Sequence, residues 1–289
     1  MRARFSHFVL ILTGCALSAC VTVPPAHVAL DARARDNIQS ADVVAPVRQS
    51  EIYVFVPATD PALAGGGLLG ALIAVGVDNV RTSHAEDAVK SLRDAVIDYN
   101  FDDQLRDDLK ASMAKVQWLH VDKVKVIKDV TSAGMDNAIT SSTASAVLMA
   151  NADYHLSTNA DTLYIVINAN LFPNTAALTP AKPAADGKPE AKSNLTNALY
   201  RNAFMFEVRA PGATNNRRQN MDTWSANHGA LLRASMTRGA AKLSDMMAAD
   251  IQEAPVAAAD AAKADKVVSD GPDGVLTRHP DGTIVFSAK

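Results

Sequence analysis

The sequence predicts an α+β fold: a mixed β-sheet with helices packed on one face, plus a C-terminal β-hairpin. Two observations predict it. Short runs rich in β-branched and aromatic residues alternate with longer stretches of helical periodicity, in the order β, α, β, an ambiguous segment, β-hairpin, β, α. Strands and helices in that order pack as a sheet covered by helices. Near the C-terminus, Pro280-Asp281-Gly282 separates two apolar runs, with Pro setting φ and Gly accepting a positive one.

Residues 1–19 read as a signal peptide. Arg2 and Arg4 form a basic start, and Phe8 to Leu12 with Ala16 and Leu17 a short apolar stretch, well under the roughly 20 residues that span a bilayer. Leu17-Ser18-Ala19-Cys20 follows. This segment resembles the lipobox of bacterial lipoproteins, in which a Leu and two small residues precede an invariant lipid-bearing Cys. The resemblance implies a diacylglycerol group on the Cys20 thiol, cleavage before Cys20 and an acylated new amino terminus. It also implies the cell outer membrane, on its periplasmic face, because Val21 stands where an Asp resembles an inner-membrane retention signal. Cysteine usage agrees. Of the 2 Cys, Cys15 leaves with the signal and Cys20 is the only thiol of the mature chain, so an intramolecular disulfide and a Cys-based metal site are both excluded.

Residues 20–49 have no sustained periodicity, apart from weak helical order around Val28 to Ile38, and read as a tether. As a flexible coil it would hold the domain on the order of 30 Å from its anchor. The domain is expected over 50–252. It opens with Glu51-Ile52-Tyr53-Val54-Phe55-Val56, a strand signal stopped by Pro57. Residues 65–77 carry no charge and five glycines. They suit a close-packed core segment, or a contact with the membrane or a partner through the Gly66/Gly70 pair. Their spacing is not that of a phosphate-binding loop.

Helical stripes follow from about Ser83 to Lys115. Ala88, Leu92, Ala95 or Val96, and Tyr99 form one; Leu105, Leu109 and Met113 form another, after a break at Asn100, which suits an N-cap. His120 to Val130 reads as a strand and Met135 to Met149 as ambiguous. Tyr154–Thr158 and Thr162–Leu171 read as a hairpin about Asn159-Ala160-Asp161. Residues 174–196 hold three prolines and scattered charge, an exposed loop. Asn197 to Arg209 reads as a strand, 211–220 as a loop and Ser225 to Ile251 as the last helix. Residues 253–270 form an Ala-rich linker, and 271–289 the terminal hairpin, which is marginal alone and is expected to dock on a sheet edge or another molecule. The arrangement is similar in architecture to several small outer-membrane assembly lipoproteins and periplasmic α/β modules.

Composition and motifs point away from catalysis and from nucleic acid. Net charge is −3, and Arg217-Arg218 is an isolated basic pair among polar residues, not a phosphate-tracking field. The seven histidines show no metal-ligand spacing, and His120 and His155 suit strand edge or core positions. Asp103 and Asp107 share a helix face with Arg106 and Lys110 interleaved, the pattern of a solvated surface. Asp270-Gly271-Pro272-Asp273-Gly274 lacks the alternation and closing Glu of a calcium loop. No catalytic, cofactor-binding or metal residue is assigned, and Cys20 is the one site residue, for lipid attachment. The expected function is non-catalytic: a binding, scaffold or assembly accessory protein held to the membrane by lipid on Cys20 and meeting an envelope partner. The alternative is a periplasmic carrier or sensor of a lipid or small molecule.

Overall fold

A computed structural model describes residues 27–55, 83–175, 197–253 and 264–289. Cys20, the glycine-rich stretch 65–77 and nearly all of the 174–196 loop lie outside the described residues. Those described form helices α1 (Ala32–Asn37), α2 (Ser83–Ala95), α3 (Phe101–Met113), α4 (Ser132–Thr140) and α5 (Arg217–Gln252). The strands are β1 (Ser40–Pro46), β2 (Tyr53–Val54), β3 (His120–Ile127), β4 (Ala146–Leu156), β5 (Thr162–Pro173), β6 (Tyr200–Arg209), β7 (Lys266–Gly271), β8 (Gly274–Arg278) and β9 (Ile284–Ala288).

The strands make one mixed sheet in the order β3-β1-β4-β5-β6-β9-β8-β7. Short β2 continues the line of β1 beside the far end of β4, after a bridge between Val47 and Ala152. β1 runs parallel to both β3 and β4, β4 to β6 form an antiparallel meander, and β9 lies parallel to β6. The fold is therefore α+β with a mixed sheet, and its terminal hairpin, β8–β9, docks on this domain's own strand β6.

Strand alternation divides the sheet into two unlike faces. Val43, Leu148, Ile165, Phe204 and Phe286 point to the face covered by α2, α3 and α5 and build the main core. Val44, Val147, Met149 and Phe172 point the other way and meet Ala138 and Ile139 of α4, a small separate cluster. Three helices thus share one face while the short α4 takes a patch of the other. Gly239 lets α5 lie close on the sheet: a Cβ there would stand 2.5 Å from Ile165 Cδ1. Near its start α5 is interrupted. Ala226 is extended, and Asn227, His228 and Gly229 follow with positive φ, so the arms 217–225 and 230–252 run in different directions. The first arm secures the β4–β5 turn, where buried Trp224 donates from Nε1 to the Ala160 carbonyl at 2.8 Å.

Several boundaries differ from the sequence reading. Residues 40–46, expected in the tether, form β1 inside the sheet, between β3 and β4. A central strand covered on both faces has no alternating polar face to announce it, and here small residues and Asp42 dilute the apolar run. Asp42 is buried and accepts from Ser142 Oγ at 2.7 Å. Asp31 caps α1 by accepting from the backbone N–H of Arg33 and Ala34, and Val28 bonds both ways with Arg201 of β6. The described fold thus begins at residue 27, and six residues separate it from Cys20. The ambiguous 135–149 segment resolves into α4 and the start of β4. The last helix begins at Arg217, inside the expected 211–220 loop, under an Asn216 cap. The linker's final residues are strand β7.

Candidate functional site

Among the described residues, both outer strands of the sheet have one unpaired side: there β3 bonds only β1, and β7 bonds only β8. Such edges invite another strand unless charge, bulges or cover prevent it. The two edges differ in chemistry. β3 carries Asp122, Lys123 and Lys125 along its length, all exposed or nearly so, which guards it. In β7, Lys266 and Asp270 flank Val267 and Val268, which are 60% and 52% exposed. Among the described residues only Ile97 is a comparably exposed large apolar side chain. A register shift between Val267, which pairs with Thr277, and Ser269 makes Val268 a bulge, so of the two exposed valines Val268 alone lies outside the strand's regular pairing.

The unit carrying this edge is fixed to the domain by a buried polar cluster. Asp250, near the end of α5, has a side chain only 6% exposed. Its carboxylate accepts from Arg278 of β8 at 2.8 Å, Tyr200 Oη of β6 at 2.7 Å and Asn202 Nδ2 of β6 at 2.9 Å. Burial, and then the Asp250 charge, hold the Tyr200 hydroxyl well above its ordinary pKa, so it stays a donor. Ser287 Oγ of β9 donates to Glu207 of β6 at 2.6 Å, and the Phe206 and Phe286 rings stack at 6.0 Å. Lys289 closes the outer turn, donating to Asp270 at 2.7 Å. His27 lies in contact range of Gly282, in the β8–β9 turn. Burial lowers its pKa, with the Asp250 charge opposing and the Arg278 charge adding to the effect.

The sequence matches no protein-family model and no curated protein. The reading of function therefore rests on geometry.

A second grouping lies on the opposite face, at the far end of β4. His155 pairs in register with Tyr53 on one side and Tyr164 on the other. Their ring centroids lie 5.5 and 5.6 Å from that of His155, and Phe55 adds a contact at 5.6 Å. Asp153 anchors the row: it accepts from Tyr53 Oη at 3.0 Å and lies 2.8 Å from His155 Nδ1. Burial, followed by the Asp153 charge, drives the Tyr53 hydroxyl far above its ordinary value, so it too remains protonated. The nearest serine in sequence, Ser157, gives its hydroxyl to Asp161 in the following turn. The row is thus a set of stacked rings with Asp153 at its margin.

The remaining candidates are ordinary surface. Asp103 and Asp107 share Arg106 at 2.5 and 3.1 Å, and Asp102 pairs with Lys128. A cleft of about 610 Å³ between α3 and β3, with Arg106, Lys110 and Leu119 in its lining, is open to solvent. Arg217 opens α5, with part of its guanidinium buried and unpartnered. Asp270 to Gly274 forms the β7–β8 turn. Among the described residues no three His, Cys, Asp or Glu converge on a metal position, and no helix is long and apolar enough to cross a membrane. The ring row and the Asp250 cluster escape sequence reading because each joins residues far apart in the chain. The one local signal was the Val267-Val268 pair, hidden by the Ala-rich run before it.

Proposed function

We propose that the protein is a lipid-anchored envelope lipoprotein, held through Cys20 at the periplasmic face of the outer membrane. Its work there is non-catalytic: it binds another envelope protein, which adds a strand to β7. The observation that carries this reading is the β7 edge, unpaired on its outer side among the described residues, with Val267 and Val268 exposed. Strand addition draws affinity from main-chain hydrogen bonds and specificity from side chains; β7 offers its outer backbone, interrupted at the Val268 bulge, and the two exposed valines. The buried Asp250–Arg278 pair behind it gives a partner a fixed template.

The test is photocrosslinking in cells from an amino acid placed at Val268, with Lys125 on the other edge as control. One dominant envelope protein crosslinked from Val268 and not from Lys125 is the expected result. Equal, diffuse crosslinking from both positions would sink the adaptor reading. Cys20→Ala should release the protein from the membrane fraction, and unchanged membrane association would overturn the anchor.

The ring row favours a second reading, a carrier or sensor of a small molecule. Aromatic faces beside Asp153 suit a flat or cationic ligand. Native mass spectrometry of protein taken from membranes separates the two: a bound small molecule lost in His155→Ala supports the carrier.

A further inference from the structure

The described chain enters the fold at one end of the sheet. Val28 bonds Arg201, the second residue of β6, and His27 lies against the β8–β9 turn. The register places the starts of β1, β3, β4 and β6 and the end of β5 at this same end. The 114–119 connection, with Gln117 and Trp118, is there as well, where Gln117 N and Trp118 Nε1 donate to Gln252 and Ile251 at the end of α5. At the opposite end are the β4–β5 turn and the His155 ring row.

We infer that this first end faces the bilayer and that the ring row faces away from it, an inference that rests on lipid attachment at Cys20. Length decides the matter. From Cys20 to Val28 are eight peptide steps, about 28 Å at full stretch and about 16 Å as a relaxed coil. From Arg201 to Arg209, β6 rises about 26 Å. To invert the domain, the connection would have to run alongside the whole height of β6, which uses nearly its entire reach and leaves almost nothing to meet the membrane. Upright, the same residues stay close to their relaxed span. β4 rises about 33 Å between its two ends, so probes on the two end loops sit at clearly different heights.

The orientation is read by energy transfer from a fluorophore on the lipidated, full-length protein to acceptor-labelled lipid headgroups. Vesicles of phosphatidylethanolamine with a minority of phosphatidylglycerol serve as the membrane. Cys20 is blocked by its lipid, so an introduced cysteine is the single labelling position. Gln117→Cys and Thr158→Cys place probes at the two ends, on exposed side chains that make no hydrogen bond among the described residues. Transfer from Gln117→Cys should exceed that from Thr158→Cys severalfold, given the height difference of about 33 Å. Equal transfer, or the reverse order, in protein that floats with the vesicles overturns the orientation alone. Protein that does not float, and that also labels at Cys20, removes the anchor and the inference with it.

Discussion

Arg278→Ala tests whether the terminal strands are held by the buried cluster. In the folded protein the Asp250 carboxylate has three donors, at 2.7, 2.8 and 2.9 Å, and only one of them carries charge. Removing one partner of a buried ion pair costs about 3–5 kcal/mol, because the other charge is stranded. Two features reduce that figure here. Tyr200 and Asn202 still donate to Asp250, and Arg278 is itself 27% exposed, so water enters where the guanidinium was. A loss of about 2 kcal/mol is expected. Measured by urea unfolding in a Cys20→Ala background, that is a midpoint lowered by about 1 M. Asp250→Asn added to Arg278→Ala should recover part of the loss, since a neutral amide strands no charge, giving a coupling energy of about 1–2 kcal/mol. A loss below about 0.5 kcal/mol, or no coupling, would refute the clamp and with it the claim that β7 is a fixed template.

Gly239→Ala should destabilise by about 1 kcal/mol: helix propensity favours Ala by about 1 kcal/mol, but displacing Ile165 and Phe206 costs about 1–3. The opposite sign in thermal or urea unfolding would mean that α5 does not lie so close to the sheet. Because burial holds His27 below its ordinary 6.5, the unfolded chain takes up that proton first as pH falls. Its contribution to stability is therefore present above pH 6.5 and lost on acidification through the folded-state value, and His27→Gln should flatten that part of a stability-versus-pH curve. Val267→Ser, with the crosslinking amino acid kept at position 268, should leave the unfolding free energy within about 0.5 kcal/mol of its original value, as surface changes do, while abolishing the crosslink from the β7 edge.

What the sequence made legible follows from which signals are local. The β4–β5 hairpin was readable because Asn159-Ala160-Asp161 divides two apolar runs, and α3 because Asn100 caps a clean stripe. Asn100 does accept from the Asp103 N–H, as a cap should. β1 was unreadable for the opposite reason: buried on both faces, Ser40-Ala41-Asp42-Val43-Val44-Ala45-Pro46 needs no alternation, and Asp42 looks like a surface residue until Ser142 is seen beside it. The break in α5 hides in a helical pattern that resumes after Gly229. The candidate sites were out of reach altogether. Tyr53, His155 and Tyr164 become neighbours only through strand register, and Asp250 meets Arg278 only once β9 has docked on β6.

The proposed membrane connection and the proposed partner edge converge on one strand. Val28 and β9 bond the same side of β6, the first at Arg201 and the second from Phe204 onward. A partner strand on β7 would be joined to β6 through β8 and β9, and the lipid on Cys20 through Val28. Load between membrane and partner would therefore cross β6 without passing through the helices. Strand hydrogen bonds resist such load best when they share it along the strand, and the five β6–β9 residue pairs are reinforced by Glu207–Ser287 and, behind them, by Arg278–Asp250. On the proposed membrane side, Val28 makes one bridged pair among the described residues, with Arg201. Under tension the connection at Val28 should yield before the hairpin does. A pulling experiment between Cys20 and a handle on β7 would then release the 27–39 segment first, leaving the β6–β9 pairing intact.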